Sequence, residues 1–155
     1  MSSIPETAGT SHTEGPGFAT LTVPSRIEAI RPTAAFIVSR ARAMSAEATA
    51  HLLFEAAIVE ALTNALKHGN TKARPDASIV CEIEVVDRVM TVRIFDEGAG
   101  FKLPEAMPYG RIWQAQDAAA IPNRGFGLSI IRNVFPSVRT ITRPGQFGIE
   151  MTRTF

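Results

Sequence analysis

Residues 51–70, H-L-L-F-E-A-A-I-V-E-A-L-T-N-A-L-K-H-G-N, are the stretch with the least conformational choice. Leucine, isoleucine, valine and alanine fill most of it and Gly69 stops it, which predicts a long helix. Leu52, Leu53, Ile58, Leu62 and Leu66 give that helix a broad apolar side, as on a helix packed against a sheet. Glu60, Asn64 and His68 recur every fourth position and stack along one face, with Lys67 beside them. A carboxylate and an amide on so apolar a helix must face water, a partner group or a ligand, because burying them unpaired is costly. Taken alone, the stripe suits a solvated face at least as well as a binding one.

The chain has 155 residues and a formal net charge of +1, enough for one domain with a proper core. Charged residues make up 20% and hydrophobic ones 45%, a balance that suits a globular protein. So small a net charge argues against direct binding to nucleic acid or to acidic membranes. Cys81 is the one cysteine, which excludes an internal disulfide and a cysteine metal cluster. No apolar run is long enough to cross a bilayer, and M-S-S-I-P-E-T does not read as a signal peptide. The expected location is the cytoplasm.

Residues 1–17 are rich in Ser, Thr, Gly and Pro and read as a disordered tail. Residues 18–23, F-A-T-L-T-V, alternate as a short strand. A helix follows to about Met44, with Pro32 expected in its first turn, and Ser45 is a candidate N-cap for the long helix. Residues 78–86 and 89–95 alternate as two strands, and Asp87-Arg88 suits a tight hairpin turn between them. Residues 102–124 have no sustained period, contain Trp113 and several prolines, and form an expected functional or mobile loop. A helix opened by Gly125-Phe126-Gly127 ends at Pro136, and residues 138–142 and 148–155 close the chain as strands around Pro144-Gly145. The arginines at 40, 42, 132, 139, 143 and 153 are scattered and read as solvated. This order predicts an α/β two-layer sandwich, a mostly antiparallel sheet with helices on one face.

Two further segments carry chemistry. Asp96-Glu97-Gly98-Ala99-Gly100-Phe101 follows a strand directly. An ionised Asp held there only accepts hydrogen bonds, so it suits the exocyclic amino group of adenine, and Gly98 and Gly100 let a ligand approach the main chain. An ordinary turn has the same pattern. Asn123-Arg124-Gly125-Phe126-Gly127-Leu128 joins a basic residue and a Gly-x-Gly to a helix start, where N–H groups attract phosphate; a simple hinge is the other reading. Asn64 offers a hard oxygen to Mg²⁺, which completes its shell with phosphates and water. Glu60, one turn earlier, is placed to orient or deprotonate a hydroxyl or a water. Lys67 suits phosphate neutralisation or compensation of the helix dipole. His68 reads as a helix-end residue.

In this order, Glu60-x-x-x-Asn64-Ala65-x-x-His68-Gly69, Asp96-x-Gly98-x-Gly100-Phe101 and Gly125-x-Gly127-Leu128 resemble the N box and two glycine boxes of a known ATP-binding superfamily. Gyrase, heat-shock chaperone ATPases, histidine kinases and mismatch-repair proteins share it. The form E-A-x-T-N-A-x-x-H-G, the short lid and the small size are similar to bacterial anti-sigma factor serine/threonine kinases, from about Phe18 to the C-terminus. The resemblance implies a kinase domain over residues 18–155 with a lid at about 102–124, binding ATP with Mg²⁺. By it Glu60 is the catalytic base, Asn64 the magnesium ligand and Asp96 the adenine reader, and the glycines flank the lid. It also implies a small antagonist protein as substrate, a sigma factor as the sequestered partner and a homodimer. Relatives commonly carry Gly-Thr before the last strand, where this chain has Gly148-Ile149. An ATP-dependent switch without phosphotransfer and a histidine-kinase-type catalytic domain are the alternative functions.

Overall fold

The computed structural model describes residues 9–69, 76–103 and 126–155. Six antiparallel strands form one sheet: β1 (Ser11–Gly15), β2 (Phe18–Pro24), β3 (Ser78–Val86), β4 (Val89–Asp96), β5 (Ser137–Arg143) and β6 (Gln146–Thr154). Their order across the sheet is β1-β2-β3-β4-β6-β5. Helices α1 (Ile27–Met44), α2 (Phe54–Gly69) and α3 (Phe126–Val134) supply the second layer. The expected two-layer sandwich is therefore what forms.

Alternation along the strands selects the inner face. Leu21, Ile79, Cys81, Met90, Val92 and Met151 point into a core shared with Ile37 of α1, Ile58 and Leu62 of α2, and Ile131 and Val134 of α3. Helix α2 packs against both other helices and against β4. Its apolar residues thus have partners on three sides, which explains why so few of its positions are polar. The parity that turns Met90, Val92 and Ile94 inward also turns the last residue of β4, Asp96, toward the helices. Among the described residues no helix is long and apolar enough to cross a membrane.

Two-residue turns set the hairpin registers. Asp87 and Arg88 both have positive φ, 48° and 63°, between the paired residues Val86 and Val89, as the expected tight turn demands. Gly145, at φ 74°, follows Pro144 between Arg143 and Gln146.

Several expectations need correction. Residues 1–17 are not all tail: Ser11–Gly15 forms β1, paired with β2 through a turn at Pro16-Gly17 in which Gly17 has φ 81°. His12 meets the Phe36 ring at 6.4 Å and Glu14 pairs with Arg40, which ties β1 to α1. Pro32 lies inside α1 rather than in its first turn, on the exposed side of the helix. Ser45 caps a short 3₁₀ turn at Glu47–Thr49 by accepting the Ala48 N–H, and α2 begins only at Phe54. His51 Nδ1 accepts the Leu53 N–H ahead of that start, and Leu52 is 99% exposed rather than part of the apolar face.

Some of the arginines are paired rather than solvated. On the outer sheet face Glu150 accepts from Arg139 Nε at 2.6 Å and Arg93 Nε at 2.7 Å. These two guanidinium groups, Arg139 first, hold its carboxyl below the ordinary value despite burial. Arg143 bonds Glu82 at 2.7 Å and lies 3.6 Å from the centroid of the Phe95 ring.

Candidate functional site

Helix α2 is the spine on which the three motif segments meet. At its C-terminal end Gly69 is buried against β4. A Cβ at Gly69 would lie 2.9 Å from Asp96 Cγ, so only glycine lets the carboxylate sit so close to the helix end. Asp96 is 3% exposed, and its Oδ1 accepts the Gly98 N–H at 2.8 Å. Gly98 rests on the same helix end: a Cβ there would overlap the His68 carbonyl oxygen and come within 2.9 Å of Gly69 Cα. Gly100 has φ 84° and lies under the Phe147 ring.

The obstacles around Gly98 are main chain and cannot swing aside. Gly98→Ala is therefore expected to lower stability by about 1–3 kcal/mol through overpacking. A thermal melt reads this as a drop in Tm of several degrees, and an unchanged Tm would contradict the contact.

An aromatic run borders this end. The His68 ring lies 4.4 Å from that of Phe101 at an interplanar angle of 30°, and Phe101 lies 5.2 Å from Phe147. His68 is thus an exposed helix-end residue, as expected, whose ring also stacks on the first glycine segment. Phe147 belongs to none of the sequence motifs. Its signal was the strand alternation of β6, which in register with β4 sets it opposite Asp96. Ile149 is buried and pairs with Ile94.

Burial pushes the Asp96 carboxyl above its ordinary value, an effect partly opposed by the Gly98 N–H and by the charge of His68. The folded protein therefore holds this proton more tightly than the unfolded chain. Stability falls as pH rises from the unfolded titration of Asp96, near pH 4, through its higher folded one, and the cost persists at neutral pH. Asp96→Asn keeps an oxygen for the Gly98 N–H while removing the buried charge. It is expected to raise Tm at pH 7 and to flatten the decline of Tm across that window; a lower Tm at pH 7 would contradict the assignment.

The other end of the site lies nine residues back along α2, about 13 Å at the helical rise. Glu60 is half-buried there, and its carboxylate presses on Gly127 in the first turn of α3. A Cβ at Gly127 would lie 3.2 Å from Glu60 Cδ and closer still to Oε2. Asn64, also half-buried, sits one turn along α2 from Glu60. Lys67 is exposed in the last turn, where its charge opposes the helix dipole. Leu128 is buried beneath the start of α3. Arg124, Gly125, Trp113 and nearly all of the expected lid at 102–124 lie outside the described residues.

The arrangement sets a buried acceptor and close-approach main chain at one end of a helix. At the other stand a carboxylate against a second helix's first turn and, one turn along α2, an amide. Among the described residues no three His, Cys, Asp or Glu side chains gather as a metal cage.

No curated protein is significantly similar to the chain. The crystal structure of the RsbU and RsbW domains of Rv1364c from Mycobacterium tuberculosis is similar in fold, with a TM-score of 0.51 and 18% identity. The match covers 88% of this chain and 31% of that one, so this chain spans about a third of its structural relative. The model of the histidine kinase-like ATPase domain matches residues 23–153, a span that holds α2, the Asp96 turn and the start of α3. With its motif segments meeting along α2 and that match across most of its length, the chain belongs to the histidine kinase-like ATPase domain family.

Proposed function

We propose that the chain is a Mg²⁺-ATP-dependent protein serine/threonine kinase that acts as an anti-sigma factor. The observation that carries this reading is the spacing along α2. A buried carboxylate suited to an amino-bearing base stands against Gly69 at one end, and a carboxylate against a helix start stands nine residues back, a helical rise of about 13 Å. A molecule with adenine at one end and phosphates at the other fits that interval. Further support comes from the E-A-x-T-N-A-x-x-H-G motif and from the fold likeness to a structure that includes an RsbW domain.

In this reading Asp96 accepts from the adenine amino group, and Gly98, Gly100 and Phe101 line the base. Arg124, Gly125, Gly127 and Leu128 approach the phosphates by side chain or main chain, as does Lys67. Asn64 would supply one hard oxygen to Mg²⁺, a cation that usually completes its shell with phosphates and water. Glu60 takes the proton of a serine or threonine hydroxyl as its oxygen attacks the γ-phosphorus and the bond to the β-phosphate oxygen breaks, releasing ADP. The substrate is a small antagonist protein; its unphosphorylated form competes with a sigma factor for the chain, which acts as a homodimer.

The test is transfer of label from γ-labelled ATP to antagonist proteins encoded beside this chain. Labelled serine or threonine on one of them is the expected result. ATP binding without transfer to any of them would instead favour a nucleotide switch.

A further inference from the structure

Strand β4 ends at Asp96, and its main-chain pairing with β3 ends one residue earlier, at Phe95. The register sets Val80 opposite Phe95. Two residues further along, the same register puts Ser78, the first residue of β3, opposite Glu97. The β4 main chain has by then turned away into the glycine segment. The Glu97 side chain takes its place: its Oε2 accepts the Ser78 N–H at 2.6 Å, with the Ser78 hydroxyl at 3.4 Å. On its other side Ser78 pairs with Pro24 of β2.

Glu97 therefore carries the ladder one step past the end of its own strand. A carboxylate accepting from a backbone N–H is a charge-assisted bond, roughly twice as strong as a neutral one. Asp96 then lies between two fixed points, the Phe95 main chain in the sheet and the anchored Glu97 side chain. The next residue, Gly98, is wedged against the end of α2.

We infer that Glu97 is a positioning residue. It holds the turn that aims the Asp96 carboxylate, and through that turn it sets affinity and base preference for an adenine nucleotide. The nucleotide half of this inference rests on the proposed function; the anchor itself does not.

Three variants test it. Glu97→Ala removes the acceptor, Glu97→Gln keeps an oxygen at nearly the same place, and Ser78→Ala removes only the distant hydroxyl. In nucleotide-free protein, exchange of the Ser78 amide hydrogen, followed by NMR, is expected to quicken about tenfold in Glu97→Ala, the size of a lost charged hydrogen bond. It should stay near wild type in Ser78→Ala and quicken by no more than about threefold in Glu97→Gln, whose neutral oxygen keeps about half of the bond. ATP affinity should weaken about tenfold in Glu97→Ala, and the preference for ATP over GTP should narrow, while phosphotransfer at saturating ATP stays within about threefold of wild type. Glu97→Gln should recover most of both losses.

Unchanged Ser78 exchange in Glu97→Ala would overturn the anchor. Faster exchange with unchanged affinity and base preference would overturn the positioning role. A wild-type protein that binds neither ATP nor GTP would overturn the proposed function and the nucleotide half with it, and Ser78 exchange would still decide the anchor.

Discussion

Glu60→Gln is expected to lower phosphotransfer by about 10²–10⁴-fold, the usual contribution of a positioned general base, while leaving ATP affinity within about threefold of wild type. The amide is nearly isosteric with the carboxylate, so the contact with Gly127 on α3 survives. What disappears is the capacity to take a proton from the attacking hydroxyl. A loss in turnover without a loss in binding separates a group that acts in the transition state from one that merely holds substrate. Single-turnover transfer at saturating ATP, alongside calorimetric ATP binding, measures both quantities on one sample. Full transfer in this variant would remove the base from the scheme. A large loss of ATP affinity would mean that Glu60 orders the empty site rather than serving the chemistry.

The parts of this site that sequence made legible are those governed by local periodicity. Four-residue spacing on an apolar helix put Glu60 and Asn64 on one face, and the alternation of the preceding strand showed that Asp96 is held at the end of the sheet. Where tertiary partners decide, sequence was silent. The Glu150 carboxylate meets Arg139 and Arg93, 11 and 57 positions away along the chain, and no local pattern announces a pair made across strands. Helix α2 begins late because His51 and Ser45 serve backbone groups ahead of it, while the apolar Leu52, a natural helix residue by composition, stands in solvent. Strand β1 is masked by composition. Pro16-Gly17 is the signature of a type II turn, but the Ser, Thr and Gly around it gave the segment the composition of a tail. The contact between Glu60 and Gly127 was not legible at all. The periodicity of α2 says which residues share a face but not which neighbouring element that face meets.

That contact yields the second large effect. In Gly127→Ala the new methyl group would meet Glu60 Oε2 and Cδ, the far end of a flexible side chain, rather than the main chain that blocks Gly98. The carboxylate can swing aside, so α3 keeps its place, and alanine favours a helix over glycine by about 1 kcal/mol. Stability should therefore change by no more than about 1 kcal/mol, and ATP affinity should hold, because alanine keeps the main-chain N–H by which Gly127 approaches the phosphates. Phosphotransfer should nevertheless fall about 10²-fold, because a base displaced by roughly an ångström no longer meets the hydroxyl in line. A glycine serving only as a phosphate cradle behaves differently: its substitution weakens ATP binding first. The double variant with Glu60→Gln separates the two cases. If Gly127 acts through Glu60, adding Gly127→Ala to Glu60→Gln costs little more, since the base it would displace is already inert. If the two losses multiply, Gly127 acts on the nucleotide independently, and the carboxylate resting against it in this structure is incidental to the chemistry.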